Sequence, residues 1–409
     1  MFYEMPRKRQ GQTMALNFQQ VLDKIKQIGM GARARQESLD VLREHARQLL
    51  DSWADKTAEL RDKVERARQA DSNIRCALPL DERLDASTPE PDPSTDEGQN
   101  PVTLLAADGS QILPDRHAAL QYSLVNVGAI AMQLGSGQSP EVFTDSSLLF
   151  ADELYTETGM LTKEAIEQRR DIAERRKLLE LAPDYPAPLL ALTDGPVELW
   201  GAKNGGEDDY RKNLEIHKSV LSQLQAKNVT VAGYVDKPGA DLVVRTLEIG
   251  EFSTDDETKN IRKQHSLRGV TDRWLFSFLP AGSRSAVFGL QSSSRVHYTG
   301  DLALHFFYLN VGYTKHPSLA RVEFPKWVAE DADKLNLLHA ALLQQCRVMG
   351  ARPYPYILHR AHEIAVVKFE EKRQVEQMLE LELRRAGGEV EEGSNKQSAK
   401  DLPGKTRTK

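Results

Sequence analysis

The sequence has few cysteines and lacks a long apolar run. Its 409 residues include 2 cysteines, Cys76 and Cys346, which do not form a CxxC pair. A disulfide scaffold or a zinc cluster is therefore not expected. No apolar stretch approaches the roughly 18 residues of a membrane span, and no apolar signal core follows the basic residues near the start. We therefore expect a cytoplasmic protein without a membrane segment.

Several catalytic motifs are also missing. The chain contains no Walker A loop, no GxGxxG turn and no serine-centred nucleophile elbow, so neither ATP hydrolysis nor serine hydrolase chemistry is supported. His362-Glu363 does not begin an HExxH motif, because Ala365 and Val366 follow, and this excludes a zinc protease of that type. The net charge of −6 argues against a globally basic nucleic-acid binder but leaves room for a local basic groove.

Composition divides the chain into five regions. Residues 1–13 are polar and are predicted to be disordered or to precede an alternative start. Residues 14–78 are predicted to be helical, and residues 79–101 to form a flexible acidic linker or loop. The core domain is predicted over residues 102–385, followed by a disordered tail over residues 386–409. In the helical region apolar residues recur at helical spacing, as at Phe18, Val21 and Ile25. This pattern fits either a coiled-coil surface for a partner or a helical hairpin packed on its own domain.

The core domain has the pattern of an α/β fold. Strands are predicted over residues 102–107, 118–133, 189–193, 229–234, 302–311 and 319–323. Helices are predicted over residues 163–181, 210–227, 240–247, 329–349 and 362–385. The strand–helix–strand order from 189 to 234 indicates a βαβ unit, so part of the sheet should be parallel.

Two Asp-Gly dipeptides each follow an apolar run, at Asp108-Gly109 and at Asp194-Gly195. A strand that ends at a carboxylate and turns on glycine holds the carboxylate at the edge of a sheet. Glu174, in the helix between the two, offers a third carboxylate, although Glu164, Glu167 and Glu180 compete with it. Magnesium and manganese favour such oxygen ligands, which suits phosphodiester chemistry. The alternative is that both dipeptides only make turns.

Three further segments carry candidate residues, each with a structural alternative. His359 and His362 lie one helical turn apart, and His362 could ligate a metal or donate a proton. Lys237, just past a strand, could meet a phosphate, and Tyr234 could stack on a base. Arg321 lies in a run that alternates charged and apolar residues, as an exposed strand would, so it could contact a phosphate or pair with Glu323.

Taken together, these segments resemble the NurA nuclease family. The resemblance rests on Asp108-Gly109-Ser110, Asp194-Gly195-Pro196 and the segments 233–238, 321–325 and 354–363, and it spans about residues 104–379. It implies a ribonuclease H-like mixed sheet flanked by helices, preceded here by the N-terminal helical region. It also implies a manganese-dependent DNA nuclease, with magnesium as an alternative ion. Family members act as 5′-to-3′ exonucleases and single-strand endonucleases, form homodimers, and process DNA ends for repair with HerA, a hexameric ATPase translocase.

The resemblance also implies roles for individual residues. Asp108 and Asp194 would be metal ligands, the helix glutamate would be the third, and His362 would complete the site. Glu174 is preferred for the third ligand by its distance before Asp194, and Glu167 is the alternative. One rival reading is a non-catalytic assembly or DNA-binding subunit of a translocase complex. Another is a nuclease on the same fold that acts on RNA.

Overall fold

The computed structural model describes residues 16–91, 101–115, 120–156, 159–200, 207–252, 263–312 and 317–388. The strands in these ranges are β1 (Cys76–Pro79), β2 (Ser87–Thr88), β3 (Thr103–Ile112), β4 (Tyr122–Gln133), β5 (Glu141–Phe150), β6 (Tyr155–Thr156), β7 (Gly159–Met160), β8 (Leu189–Asp194), β9 (Thr230–Asp236), β10 (Arg284–Ser285), β11 (Phe288–Gln291), β12 (Leu304–Asn310) and β13 (Leu319–Pro325). The helices are α1 (Phe18–Met30), α2 (Ala32–Trp53), α3 (Thr57–Ala70), α4 (Lys163–Leu181), α5 (Glu207–Ala226), α6 (Leu242–Glu251), α7 (Asp272–Leu275), α8 (Lys326–Ala329), α9 (Ala332–Val348), α10 (Tyr356–Ala365) and α11 (Phe369–Arg385).

A large mixed sheet organises the chain. Its strand order is β1-β11-β12-β13-β9-β8-β3-β4-β5, with β10 paired to β12 and β2, while β6 and β7 form a small separate pair. Strands β3, β8 and β9 are parallel, and β5, β4 and β3 form an antiparallel run beside them. Three antiparallel strands flanked by two further parallel strands are the ribonuclease H-like arrangement. The predicted fold class and the predicted βαβ unit are confirmed.

Helices cover both faces of this sheet, and the alternation along β3 shows which face each core occupies. Leu105 and Ala107 belong to the core that contains residues of α4 and α5. Leu104 and Ala106 belong to the core that contains residues of α9 and α10. Even-numbered positions of β3 therefore face α10, and odd-numbered positions face α4.

The N-terminal region packs on the core domain through α2 and α3. Leu50, Leu60 and Val64 are buried, and β1 pairs antiparallel with β11, so the region contributes to the main sheet. These contacts favour the hairpin alternative for α2 and α3. The first helix differs, because α1 has no buried residue.

Part of the predicted linker is instead folded. Within residues 81–91, strand β2 pairs with β10, Glu82 pairs with Arg284 at 3.2 Å, and Glu90 forms an ion pair with Arg347. Residues 92–100 lie outside the described residues, as do residues 1–13 and, within the predicted tail 386–409, residues 389–409. In the ranges that the structure describes, no helix combines the length and apolar character needed to cross a membrane.

Several other elements differ from the prediction, among them β5 and the C-terminal helix. Strand β5 was not predicted, because it is a mostly exposed edge strand without apolar alternation. The helix predicted over residues 362–385 is two helices, since the chain becomes extended at Val366 between α10 and α11. As a result, His362 lies inside α10 and is carried by the helix that packs on β3 and β4.

Candidate active site

Asp108 and Asp194 lie side by side on neighbouring parallel strands. In the register of β3 and β8, Ala107 pairs with Thr193, so the two aspartates are the next residue on each strand. Asp194 is exposed at the end of its strand. Partial loss of contact with water raises the pKa of the Asp194 carboxyl, and the negative charge of Asp108 raises it further. The two carboxylates therefore act on each other electrostatically.

The two Asp-Gly dipeptides have different conformations. Gly195 has a φ of +89° and makes a turn, and its N–H donates to the carbonyl oxygen of Tyr234 at 2.8 Å. Asp108-Gly109 does not turn, because β3 continues to Ile112 with β4 as its partner, and Asp108 lies opposite Gly128. The turn predicted at the first dipeptide is therefore wrong. Asp108 marks the place where β3 runs beyond the end of β8.

Glycines in the strands admit the neighbouring parts of the site. A Cβ at Gly109 would lie 2.4 Å from Arg170 Cγ and 2.8 Å from Glu174 Oε1. A Cβ at Gly128 would lie 2.4 Å from the backbone nitrogen of Ala365, so α10 rests directly on β4 there. A Cβ at Gly233 would lie 2.4 Å from the carbonyl oxygen of Gly195. Each glycine permits a close approach that any larger residue would block.

Glu174 projects from α4 toward Gly109. Its side chain is buried, and its Oε1 lies 3.3 Å from Nε of Arg170. Burial raises the pKa of Glu174 to about 8, and the charges of Asp171 and Asp108 also raise it, while Arg175 and Arg170 oppose them. Perturbed pKa values of this kind are typical of functional sites.

The alternative glutamate on α4 has a different position. Glu167 is more exposed than Glu174, and its Oε1 lies 3.5 Å from Nζ of Lys163 on the same helix. Contact with Gly109 of β3 is instead made by Glu174, whose charge acts on that of Asp108. The geometry therefore favours Glu174 over Glu167 as the third carboxylate.

The segment around α10 brings one side chain to each aspartate. Nδ1 of His362 lies 2.7 Å from Oδ2 of Asp108, while 64% of the histidine side chain remains exposed. Tyr354, just before α10, interacts with Asp194 and opposes the rise in the pKa of that carboxyl. Sequence reasoning did not assign a role to Tyr354, although the residue opens the segment that carries His362.

A buried ion pair holds the turn that follows Asp194. The N–H of Val197 donates to Oε2 of Glu323 at 3.2 Å, and Oε1 of Glu323 lies 2.7 Å from Nη2 of Arg321. On the other side, Nη2 of Arg175 donates to the carbonyl oxygen of Pro196 at 2.9 Å. The loop is therefore fixed through its backbone from two directions.

These contacts correct two expectations about DNA contacts. Strand β13 is buried at every residue between β12 and β9, so the exposed strand predicted around Arg321 is wrong, whereas the predicted pairing with Glu323 is confirmed. Tyr234 is 1% exposed, and its ring packs edge-on against Tyr354 with 5.5 Å between the centroids. A base has no access to that ring. Lys237 is 68% exposed, and its contact with a phosphate stays a prediction.

The donor set at this edge of the sheet suits a hard divalent ion, because it consists of three carboxylates and an imidazole. The side chains are not gathered into a ready cage. Among the described residues, no group of three or more His, Cys, Asp or Glu side chains has the arrangement of a metal site. Instead Asp108 contacts His362, Glu174 contacts Arg170, and Asp194 interacts with Tyr354.

Comparisons with known proteins give a family and a set of similar folds. A family profile described as the NurA domain matches residues 102–367. The NurA nuclease from Sulfolobus solfataricus superposes with a TM-score of 0.48 at 10% identity, covering 90% of this chain and 98% of that one. The catalytic domain of human endonuclease V has a TM-score of 0.32 at 12% identity, covering 80% and 99%. Drosophila Piwi has a TM-score of 0.29 at 11% identity, covering 66% and 30%. A search of curated proteins finds no match.

Proposed function

We propose that this chain, which belongs to the NurA family, is a metal-dependent DNA nuclease. The observation that carries the proposal is the position of Asp108 and Asp194 at the same level of two parallel strands. Buried Glu174 lies against Gly109, the residue after Asp108, and His362 contacts Asp108. Carboxylates that meet at the end of parallel strands can hold divalent ions for phosphodiester hydrolysis.

We assign the metal ligands to Asp108, Asp194 and Glu174, with manganese as the ion and magnesium as the alternative. When bound, the metal would lower the pKa of a water molecule and stabilise charge on the leaving oxygen. Glu174 would exchange its contact with Arg170 for the ion, and Asp108 would turn an oxygen away from His362. His362, held by Asp108 and open to solvent, is placed to hold a proton near the reacting phosphate.

The finer functional assignments come from the family. They are 5′-to-3′ exonuclease and single-strand endonuclease action, a role in DNA end resection and repair, homodimer formation, and work with a HerA-like hexameric translocase. The apolar residues of α1 support a partner surface, since Val21, Ile25 and Ile28 are exposed. Size-exclusion chromatography with light scattering tests the homodimer, and co-purification with such an ATPase tests the partnership.

The central experiment measures cleavage by the purified protein with Mn²⁺, Mg²⁺ or a chelator. The substrates are single-stranded DNA, duplex DNA and RNA, each labelled at the 5′ or the 3′ end. Asp108→Asn and Asp194→Asn should each lower the cleavage rate by at least about 100-fold, because each removes a charged ligand. The matched control is Asp145→Asn, an exposed aspartate on edge strand β5, which should cleave normally. Wild-type rates in both site variants would overturn the assignment.

A further inference from the structure

A cleft lies at the end of β9, the strand that pairs with β8 at Asp194. It has a volume of about 500 Å³, and its lining includes Asp236, Lys237, Arg352 and Tyr354. The cleft adjoins the active site, because Tyr354 lines it and packs on Tyr234, which pairs with Asp194 in the register of β8 and β9. Its walls are the end of β9, the connection between α9 and α10, and Gly312, Pro317 and Ser318 between β12 and β13.

We propose that this cleft binds one nucleotide of a single DNA strand, next to the phosphate that is cleaved. Lys237 and Arg352 contact the backbone phosphate of that nucleotide from opposite walls. The inference rests on the proposed nuclease function and extends it, because it names residues that hold the substrate outside the metal site.

The two cations are available for a ligand. Lys237 forms only a loose, exposed ion pair with Asp236, with 3.9 Å between Nζ and Oδ2, and its side chain is 68% exposed, so a phosphate can compete for it. Arg352 is exposed as well, and no Asp or Glu of the described ranges forms an ion pair with it. A phosphate between these side chains would receive charge-assisted hydrogen bonds from both.

The backbone holds both cations in place. Lys237 has a φ of +43°, in the left-handed region where a residue with a side chain is strained and glycine is not. Backbone strain of this kind clusters at functional sites, which fits a role for the lysine in the cleft. On the facing wall, Gly350 has a φ of +59° after the end of α9, and this turn places Arg352 at the cleft.

The size and chemistry of the cleft favour a single strand. A volume of about 500 Å³ lies within the range of pockets that enclose a small molecule, and one nucleotide is a ligand of that class. Cations beside an aromatic wall are the combination that binds single-stranded nucleic acid without reading its sequence. Here the aromatic wall is Tyr354, which also contacts the catalytic aspartate.

The test measures the salt dependence of binding. Fluorescence anisotropy with a short labelled oligothymidine would be recorded at several salt concentrations, with Asp108→Asn protein and a chelator to prevent cleavage. Each lost phosphate contact should reduce the slope of log K against log salt by about 0.7 for a single strand. Lys237→Gly and Arg352→Ala, each introduced into the Asp108→Asn protein, should each give that reduction. Lys237→Arg in the same background should keep the slope of the Asp108→Asn protein, because the cation remains.

Two controls separate the cleft from other causes. Lys218→Ala removes a cation from α5, which does not line the cleft, and should leave the slope unchanged. Lys237→Gly should fold with an unchanged or higher melting temperature, because glycine relieves the left-handed strain. Unchanged slopes in both Lys237→Gly and Arg352→Ala would overturn the cleft proposal, even if the protein cleaves DNA. The predicted slopes in a protein that cleaves no DNA with Mn²⁺ would overturn the proposed function and leave the cleft standing.

Discussion

Asp108-Gly109 and Asp194-Gly195 are the same dipeptide in two different roles. At the first, the backbone stays extended along β4, beyond the end of β8, and the missing side chain makes room for Glu174. At the second, Gly195 adopts a φ of +89°, and no atom lies within 4 Å of the position that a Cβ would occupy. Glycine is therefore needed there for its backbone conformation and not for space. One glycine is needed for space, and the other is needed for its backbone angle.

The difference shows how the two halves of the site are held. The half around Asp108 depends on the contact of Asp108 with His362 and on the close approach of Arg170 and Glu174 to Gly109. The half around Asp194 depends on a turn whose backbone is fixed by Glu323 and Arg175. Variants that disturb one half and spare the other can therefore test each mechanism separately.

The largest effect is expected for Glu323→Gln, which disturbs the Asp194 half alone. Glutamine keeps an oxygen for the N–H of Val197 but removes the carboxylate that pairs with the buried guanidinium of Arg321 at 2.7 Å. We expect the free energy of unfolding to fall by about 3–5 kcal/mol, because removing one partner of a buried ion pair leaves the other charge buried without compensation. Chemical denaturation measures this free energy. The cleavage rate should also fall, because the turn after Asp194 would be displaced.

Glu330→Gln is the matched control for that variant. Glu330 pairs with Lys326 at 3.2 Å on the surface, and its side chain is 64% exposed. Removing this pair should cost less than about 1 kcal/mol. Equal losses in the two variants would contradict the role of Glu323 at the turn.

An effect that is of similar size at most, and that depends on pH, is expected for Glu174→Gln in the presence of a chelator. The fold raises the pKa of Glu174 from 4.5 to about 8, so it favours the protonated carboxyl. The wild-type protein should lose stability as the pH rises from about 4.5 through about 8, and the variant should lack that loss. At pH 5 the two should be alike. Above pH 8 the variant should be more stable by a few kcal/mol, at about 1.4 kcal/mol per pKa unit.

Thermal or chemical unfolding across this pH range measures the difference. Glu180→Gln, at an exposed position of the same helix that pairs with Lys177, should give a curve parallel to the wild type. A curve for Glu174→Gln that also parallels the wild type would show that this carboxyl is not held neutral by the fold.

The smallest pair of effects on stability compares the two glycines directly. Gly109→Ala should destabilise by about 1–3 kcal/mol, because the added methyl forces Arg170 and Glu174 aside. Its cleavage rate should fall by about 100-fold if Glu174 moves by about 1 Å. Gly195→Ala should cost about 1–2 kcal/mol for its left-handed angle and should keep most of the cleavage. Greater loss of cleavage in Gly195→Ala would reverse the roles assigned to the two glycines.

Local patterns predicted much of this fold and part of the site. Helical periodicity predicted α4 over the residues that it occupies, and the apolar run before Asp194 predicted the end of β8. Such features depend on neighbours in the sequence. The preference for Glu174 came from its distance along the chain, and its contact with Gly109 now supports it.

The features that were missed depend on residues far away in the sequence. Alternation of charged and apolar residues around Arg321 resembles an exposed strand, but β9 and β12 enclose it on both sides. Asp108 is predicted to end a strand, because no neighbouring residue in the sequence indicates that β3 continues to pair with β4 beyond that point. Likewise, Tyr354 reaches Asp194 across a separation that no local pattern encodes.

The three strand glycines have a consequence for protein engineering. Transferring the four reactive side chains to another sheet would not reproduce the site, because the recipient strands would carry Cβ atoms where a helix and a loop must rest. The transferable unit therefore includes Gly109, Gly128 and Gly233, and each must face its own neighbour. A designer would need to copy these empty positions first and place the carboxylates afterwards.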